Sequence, residues 1–388
     1  MQNPVRIPLA EANETPTPLA VGKLTLANFR NYADLVLHLD PAPVLLTGAN
    51  GSGKTNLLEA ISLLVPGRGL RRAHARDLQN QNRPSPWAVA ADLTTLFGIL
   101  QIGTGRDPED PGSERRVVHI EGKPARRQHA LAEHVAMAWI TPDMDRLLIE
   151  GPSARRKWLD RLVFSFDPAH GGRVHRYEKA LRERLRLLRE GLTDAVWLNA
   201  LEDEMTQTGV AIAAARKQML RQLRTAIAET ASAFPQADLA IKGIAEEALE
   251  EAPALLVEDK MRGALLRTRG EDAQSGTCST GPHRSDLAVV HRAKQCPAEL
   301  CSTGEQKALV VAIMLAYTRA LKDARHIAPL LLLDDIAAHL DDIRREALFE
   351  EIRFLGVQAW LTGTDAEPFA SILPHAQHGA VANGSVQV

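Results

Sequence analysis

From Lys23 the chain alternates apolar and polar residues in LTLANF and again in LVLHL, then drops the alternation for the continuous apolar run PVLLTG. Alternation with a period of two predicts half-buried strands, and a short unbroken apolar run predicts a strand covered on both faces. The run ends in GANGSGKTN, Gly48 to Asn56, after which Asn56 to Leu64 takes up helical spacing. The runs AVAADL and VVHIEG, on either side of the Gly/Pro/Asp-rich TGRDPEDPGSE, predict a meandering sheet between about Trp87 and Trp139. From Ser153 to about Ala233 the period lengthens, with Tyr177, Leu181, Leu185 and Leu188 at helical spacing. Long amphipathic helices, packed as an antiparallel pair or small bundle, are expected there. Beyond a charged loop near Arg267 to Thr280, strands and helices alternate again through AVVH, a helix from Glu305, PLLLL and VQAWL.

The end of the chain therefore resembles its start in type. The expected architecture is one α/β domain split in sequence, 21–150 and 281–388, interrupted by a mainly helical insertion at 151–280. Residues 1–20, with Pro4, Pro8, Pro16 and Pro18 among polar residues, lack periodicity and are expected to form a flexible extension outside the fold. A length of 388 residues, 45% of them hydrophobic, suits two well-buried domains. With 46 basic against 48 acidic residues, any nucleic-acid contact has to be a local patch. The three cysteines, Cys278, Cys296 and Cys301, form no C-x-x-C pair and no cluster with histidine, which speaks against structural zinc and a disulfide framework. No apolar run approaches the roughly 18 residues a spanning helix needs, and no secretory leader is seen, so a cytoplasmic protein free of membranes is expected.

Three stretches carry candidate chemistry. Gly48, Ala49, Asn50, Gly51, Ser52, Gly53, Lys54 and Thr55 match G-x-x-x-x-G-K-[ST]. In such a loop the glycines let backbone N–H groups wrap phosphates, the lysine neutralises their charge, and the hydroxyl of Thr55 is offered to magnesium. With a strand running in and a helix running out, a nucleotide phosphate site outweighs a plain glycine-rich turn. In LLLLDD, Leu330 to Asp335, an apolar strand delivers two carboxylates to the crevice where α/β sheets hold ligands. Asp334 suits magnesium and Asp335 suits accepting a proton from an attacking water, while an acidic turn after a buried strand is the plainer alternative. In CSTGEQ, Ser302 and Glu305 form a capping box ahead of an apolar helix, and Gly304 leaves that helix start open enough to grip a phosphate from outside.

GANGSGKTN, STGEQ before an apolar helix, and LLLLDD followed by LD together resemble the ATPase head shared by ABC and SMC proteins. NFRNY (Asn28 to Tyr32), EGPSARRKWLD (Glu150 to Asp160), RYEKAL (Arg176 to Leu181) and GPHRSDL (Gly281 to Leu287) resemble, within that group, the RecF family of bacterial recombination-repair proteins. The resemblance implies an ATP-dependent homodimer in which Ser302, Gly304, Glu305 and Gln306 of one subunit reach the ATP held by the other's phosphate loop. It implies Asp334 and Thr55 as magnesium ligands, Lys54 and Asp335 as catalytic groups, and Asp341 as the D-loop aspartate. Ala338 and His339 depart from the pair expected before that aspartate, and Thr362, Gly363 and Thr364 carry no histidine at the switch position. The implied activity is a weak, DNA-stimulated ATPase acting as a switch, with ATP and Mg2+ as cofactors.

The implied role is binding of DNA at single-strand to double-strand junctions and, with RecO and RecR, loading of RecA in gap repair, supporting replication restart and the SOS response. Local basicity is the counterpart on the chain itself: Arg68, Arg71, Arg72 and Arg76, and Arg155 and Arg156, are candidate DNA contacts. A transporter-type ABC ATPase subunit is disfavoured by the insertion and the missing histidine. A long SMC-like tether is disfavoured by the lack of a sustained heptad run. A P-loop metabolic kinase is the remaining rival, for which CSTGEQ would be only a capped helix.

Overall fold

The leucines of LTLANF and LVLHL fall on one face of a hairpin, where Leu24 opposes Leu37 and Leu26 opposes Leu35. All four are buried, so the alternation reports a sheet with a single core-facing side. The computed structural model describes residues 5–6, 19–83, 85–110, 115–192, 194–230, 232–325, 328–337 and 340–387. They divide into two units, the first comprising 1–145, 232–234 and 310–388, the second 146–231 and 235–309.

In the first unit one sheet has seven strands: β1 (Val5–Arg6), β2 (Leu19–Phe29), β3 (Tyr32–His38), β5 (Ala88–Thr95), β6 (Gly98–Arg106), β7 (Arg116–Ile120) and β8 (Lys123–Pro124). Their order is β1-β3-β2-β5-β6-β7-β8, and all neighbours are antiparallel except β1 and β3. The expected extension over 1–20 is corrected at both places where it is described. Val5 and Arg6 pair with Leu37 and His38, and Leu19 and Ala20 are fully buried and pair with Thr95 and Thr94.

The second sheet of this unit contains β4 (Val44–Thr47), β9 (Met137–Ile140), β13 (Leu330–Leu333), β14 (Ala359–Gly363), β15 (Gln377–Ala382) and β16 (Ser385–Gln387). The order is β16-β15-β4-β14-β13-β9, with β15, β4, β14, β13 and β9 parallel. Parallel strands need cover on both faces, and every residue of β4, β9, β13 and β14 is buried. Helix α1 (Lys54–Ser62) follows β4, and α10 (Asp342–Leu355) separates β13 from β14. The carboxyl ends of β4, β14 and β13 thus lie side by side, in the position where open α/β sheets bind ligands.

The second unit contains α3 (Pro152–Phe166), α4 (His170–Arg189), α5 (Ala195–Ala228), α6 (Ile244–Glu251), α7 (Ala254–Arg267) and α8 (Arg269–Ser275). Tyr177, Met205, Val210, Ile212, Val257, Met261 and Leu265 form its core. It also carries a three-stranded antiparallel sheet in which β11 (Asp286–His291) lies between β10 (Ala237–Lys242) and β12 (Cys296–Pro297). The expected boundary at 280/281 is therefore displaced. The AVVH strand pairs along its length with β10, which ties 281–309 to the second unit. Helix α9 (Thr303–Arg325) starts in that unit and belongs to the first from Val310 onward.

Candidate functional site

The phosphate loop is held in shape by side chains from the β2–β3 turn. Tyr32 Oη donates to the Gly53 carbonyl at 3.0 Å and Asn31 Nδ2 to the Ser52 carbonyl at 3.0 Å. Asn56 Nδ2 returns a hydrogen bond to Asn31 Oδ1 at 2.7 Å. Burial pushes the Tyr32 phenol far above its ordinary pKa, so it remains a donor. Gly53 has φ 119° and no room for a side chain, since a Cβ there would lie 2.4 Å from Asn31 Nδ2. It opens α1 with no side-chain cap, which leaves the first N–H groups of the helix available to an anion.

Lys54 is 8% exposed, and its Nζ donates to the carbonyls of Gly48 at 2.5 Å and Ala49 at 3.0 Å. Burial draws its pKa down, and the negative charges of Asp335, Asp334 and Asp365 oppose that. Asp334, 7% exposed, accepts from Thr55 Oγ1 and from Thr362 Oγ1, each at 2.9 Å. Burial raises its pKa, and the two hydroxyls work against the rise. The Asp335 N–H donates to Thr362 Oγ1 at 2.8 Å, and φ of Asp335 is 51°. A cavity of about 310 Å³ opens between these groups, with Arg71 on its wall. One hydroxyl and one carboxylate, both hard oxygen donors at hydrogen-bond separation, fit a magnesium ion.

The other candidate stretch starts α9. Ser302 N–H donates to Glu305 Oε2 at 3.0 Å and Glu305 N–H to Ser302 Oγ at 3.4 Å, the reciprocal pair of a capping box. Lys294 pairs with Glu305 and, with the Ser302 N–H, holds the Glu305 carboxyl down at about 2. Gln306 is 3% exposed and donates through Nε2 to the carbonyls of Cys301 at 2.9 Å and Glu299 at 3.3 Å. Ser302 and Gly304 are exposed, and a Cβ on Gly304 would meet nothing within 4 Å. Asp341 N-caps α10 through Oδ1, which accepts from the Arg344 N–H at 2.9 Å. Ala338 and His339 lie outside the described residues.

Residues 20–370 match the family described as the RecF/RecN/SMC N terminal domain. The chain belongs to this family. It is 48% identical over 374 residues to the DNA replication and repair protein RecF of Mesorhizobium japonicum, covering 96% of this chain and 98% of the relative. It is 46% identical over 373 residues to the protein of the same description from Rhizobium rhizogenes, covering 96% and 99%. Among solved structures it is similar to that of the recombination mediator protein RecF-ATPrS in the RecFOR pathway, with TM-score 0.83, 22% identity and coverage of 97% of this chain and 99% of the other. It is also similar to an Smc head domain from Pyrococcus furiosus, with TM-score 0.53, 17% identity and coverage of 95% of each chain. Both likenesses bear on the fold, which is that of an SMC/ABC-type ATPase head.

Against this RecF-family fold the basic candidates part company. Arg68, Arg71, Arg72 and Arg76 are exposed. Arg71 hydrogen-bonds Asn56 Oδ1 at 2.9 Å and lies on the wall of the cavity, while Arg76 pairs with Asp77. Arg155, expected as a DNA contact, is instead a buried structural residue. Its guanidinium grips Asp286 through two hydrogen bonds of 2.8 Å and also donates to the carbonyls of Leu148 and Glu150. Arg156 donates to the Ser285 carbonyl at 2.7 Å and is half-buried. Asn31, Tyr32 and Thr362 were missing from the expected site. The first two sit inside the NFRNY stretch and the third ends an apolar strand, so position alone offered a signal.

Proposed function

We propose that this chain is an ATP-dependent DNA-binding protein of recombinational gap repair. The observation that supports this most is the convergence of Lys54, Thr55, Asp334 and Thr362 on one cavity at the carboxyl ends of three parallel strands, in a chain whose curated relatives are described as DNA replication and repair proteins. The triphosphate of ATP lies along Gly48 to Thr55, displacing the two loop carbonyls from Lys54. Thr55 and Asp334 hold a magnesium ion, which neutralises phosphate charge when bound. Asp335 takes the proton of the attacking water. Ser302 and Gly304, at the exposed start of α9, bind the terminal phosphate of ATP held by a second copy, so ATP closes a homodimer and slow hydrolysis releases it.

The dimer binds DNA at single-strand to double-strand junctions and works with RecO and RecR, the partners implied by the RecFOR pathway named for its structural likeness, to load RecA. Of the basic candidates, Arg68 and Arg72 are exposed and are the ones proposed to meet phosphates. The test is light-scattering mass of the purified protein without nucleotide, with ADP and with ATP, each with and without gapped DNA. Doubling with ATP alone, strengthened by DNA, is the expected result. A mass that stays monomeric while ATP is consumed would overturn the reading in favour of a small-molecule kinase.

A further inference from the structure

Cys278 is buried in the core of the second unit, whereas Cys296 and Cys301 are half-buried. Cys296 ends the β11–β12 pairing opposite His291, and a single 3₁₀ turn, Ala298–Leu300, separates it from Cys301. That turn brings both thiols onto one acceptor, the Pro297 carbonyl, at 3.5 Å from Cys296 Sγ and 3.7 Å from Cys301 Sγ.

We propose that Cys296 and Cys301 are a redox pair that closes to an intramolecular disulfide when a peroxide oxidises it, and that closure loosens the Ser302–Gln306 segment. One thiolate attacks a peroxide oxygen, giving a sulfenic acid and releasing water. The second sulfur then attacks the sulfenic sulfur, forming the S–S bond and releasing a second water. Two thiols lose two protons and two electrons, and the O–O bond is what is reduced. Burial, then the neighbouring Cys296, push the Cys301 thiol up; whichever sulfur attacks first, the other resolves.

The consequence reaches the start of α9 through bonds already described. Sulfurs in a disulfide stand about 2.05 Å apart, so closure ties the Cys301 side chain to that of Cys296 and constrains the backbone that carries it. Its carbonyl is the one Gln306 Nε2 holds, its N–H is bonded to the Ala298 carbonyl at 3.2 Å, and its neighbour Ser302 is half of the capping box. Lys294, whose charge is felt by both sulfurs, is the partner of Glu305. Closing the bond therefore pulls on the residues assigned above to the partner's ATP, and this part of the inference rests on that assignment.

The test uses the full-length reduced protein and its Cys296→Ser variant, exposed to a modest excess of hydrogen peroxide and then alkylated. Peptide mapping of the wild type is expected to recover Cys296 joined to Cys301 with Cys278 unmodified. A sulfinic acid on one cysteine, a bond between chains, or two unreacted thiols would overturn the disulfide. Hydrogen exchange at the amides of 302–306 is expected to quicken on oxidation and recover with dithiothreitol, and unchanged exchange would refute the coupling. ATP-dependent mass doubling is expected to be lost by the oxidised wild type and kept by peroxide-treated Cys296→Ser. If the reduced protein does not double with ATP, the dimer reading fails, while the map and the exchange still decide the redox pair.

Discussion

Asp334 is asked to keep a charge in a place that disfavours it. Burial raises its pKa, while two hydroxyls and the charge of Arg71 support the ionised form. Asp334→Asn keeps an oxygen that both hydroxyls can reach and removes the buried charge. It is expected to melt higher than the wild type without nucleotide and to lose the further rise that magnesium and ATP give together, as thermal denaturation with and without both would show. Lys54→Met removes charge-assisted contacts worth about 1.5 to 3 kcal/mol, so ATP affinity by calorimetry is expected to fall about 10- to 100-fold. Arg155→Ala acts on folding instead. Loss of the grip on Asp286 and two carbonyls is expected to cost about 2 to 4 kcal/mol in urea denaturation. Only the first two residues declared their setting in the sequence, because the loop pattern is local. The partner of Arg155 lies 131 positions away, and a run of basic residues reads the same whether it faces solvent or an aspartate.

At the scale of elements, the strands feeding the site were legible because a parallel sheet turns its core strands into unbroken apolar runs, as in the LLLL of β13. The ADLAIK strand was not, since it alternates among helices and declares itself only through pairing with β11. The start of α9 serves two masters, helix stability and the proposed phosphate contact, and they can be separated. Aspartate caps helices as well as serine does, so Ser302→Asp is expected to preserve the melting temperature while its charge repels a phosphate. ATP-dependent mass doubling should then disappear with the fold intact. The packing of α3 against α5 carries its own pH signature. Burial works to raise the Asp160 carboxyl, yet hydrogen bonds from His170 and from Arg216, with the Arg216 charge, hold it at about 2. A carboxyl depressed on folding stabilises above its unfolded pKa and loses that support as pH falls through the folded one. Urea midpoints are therefore expected to drop between about pH 4 and pH 2, and less steeply in Asp160→Asn, which should already be weaker at neutral pH.

For the whole molecule the near balance of charge, 46 basic to 48 acidic residues, leaves the proposed DNA binding to a few local contacts, and the salt dependence of affinity counts them. If Arg68 and Arg72 each meet a phosphate, replacing either with Gln is expected to lower the slope of log affinity against log salt by about one. An unchanged slope would move the contact elsewhere. The change in periodicity near Ser153 falls close to the border at 145/146 between the two units. The second border could not be read in this way, because 281–309 looks like head sequence and is claimed for the other unit by strand pairing.

The left-handed backbone of Asp335, φ 51°, bears on which sequences this site can explore. Asparagine, aspartate and glycine visit that region readily, whereas most other side chains meet a penalty of roughly 1 to 2 kcal/mol. Glutamate is a single nucleotide change from aspartate in the genetic code. Here that short mutational step is opposed by a torsion angle, so the length of this side chain is under conformational selection.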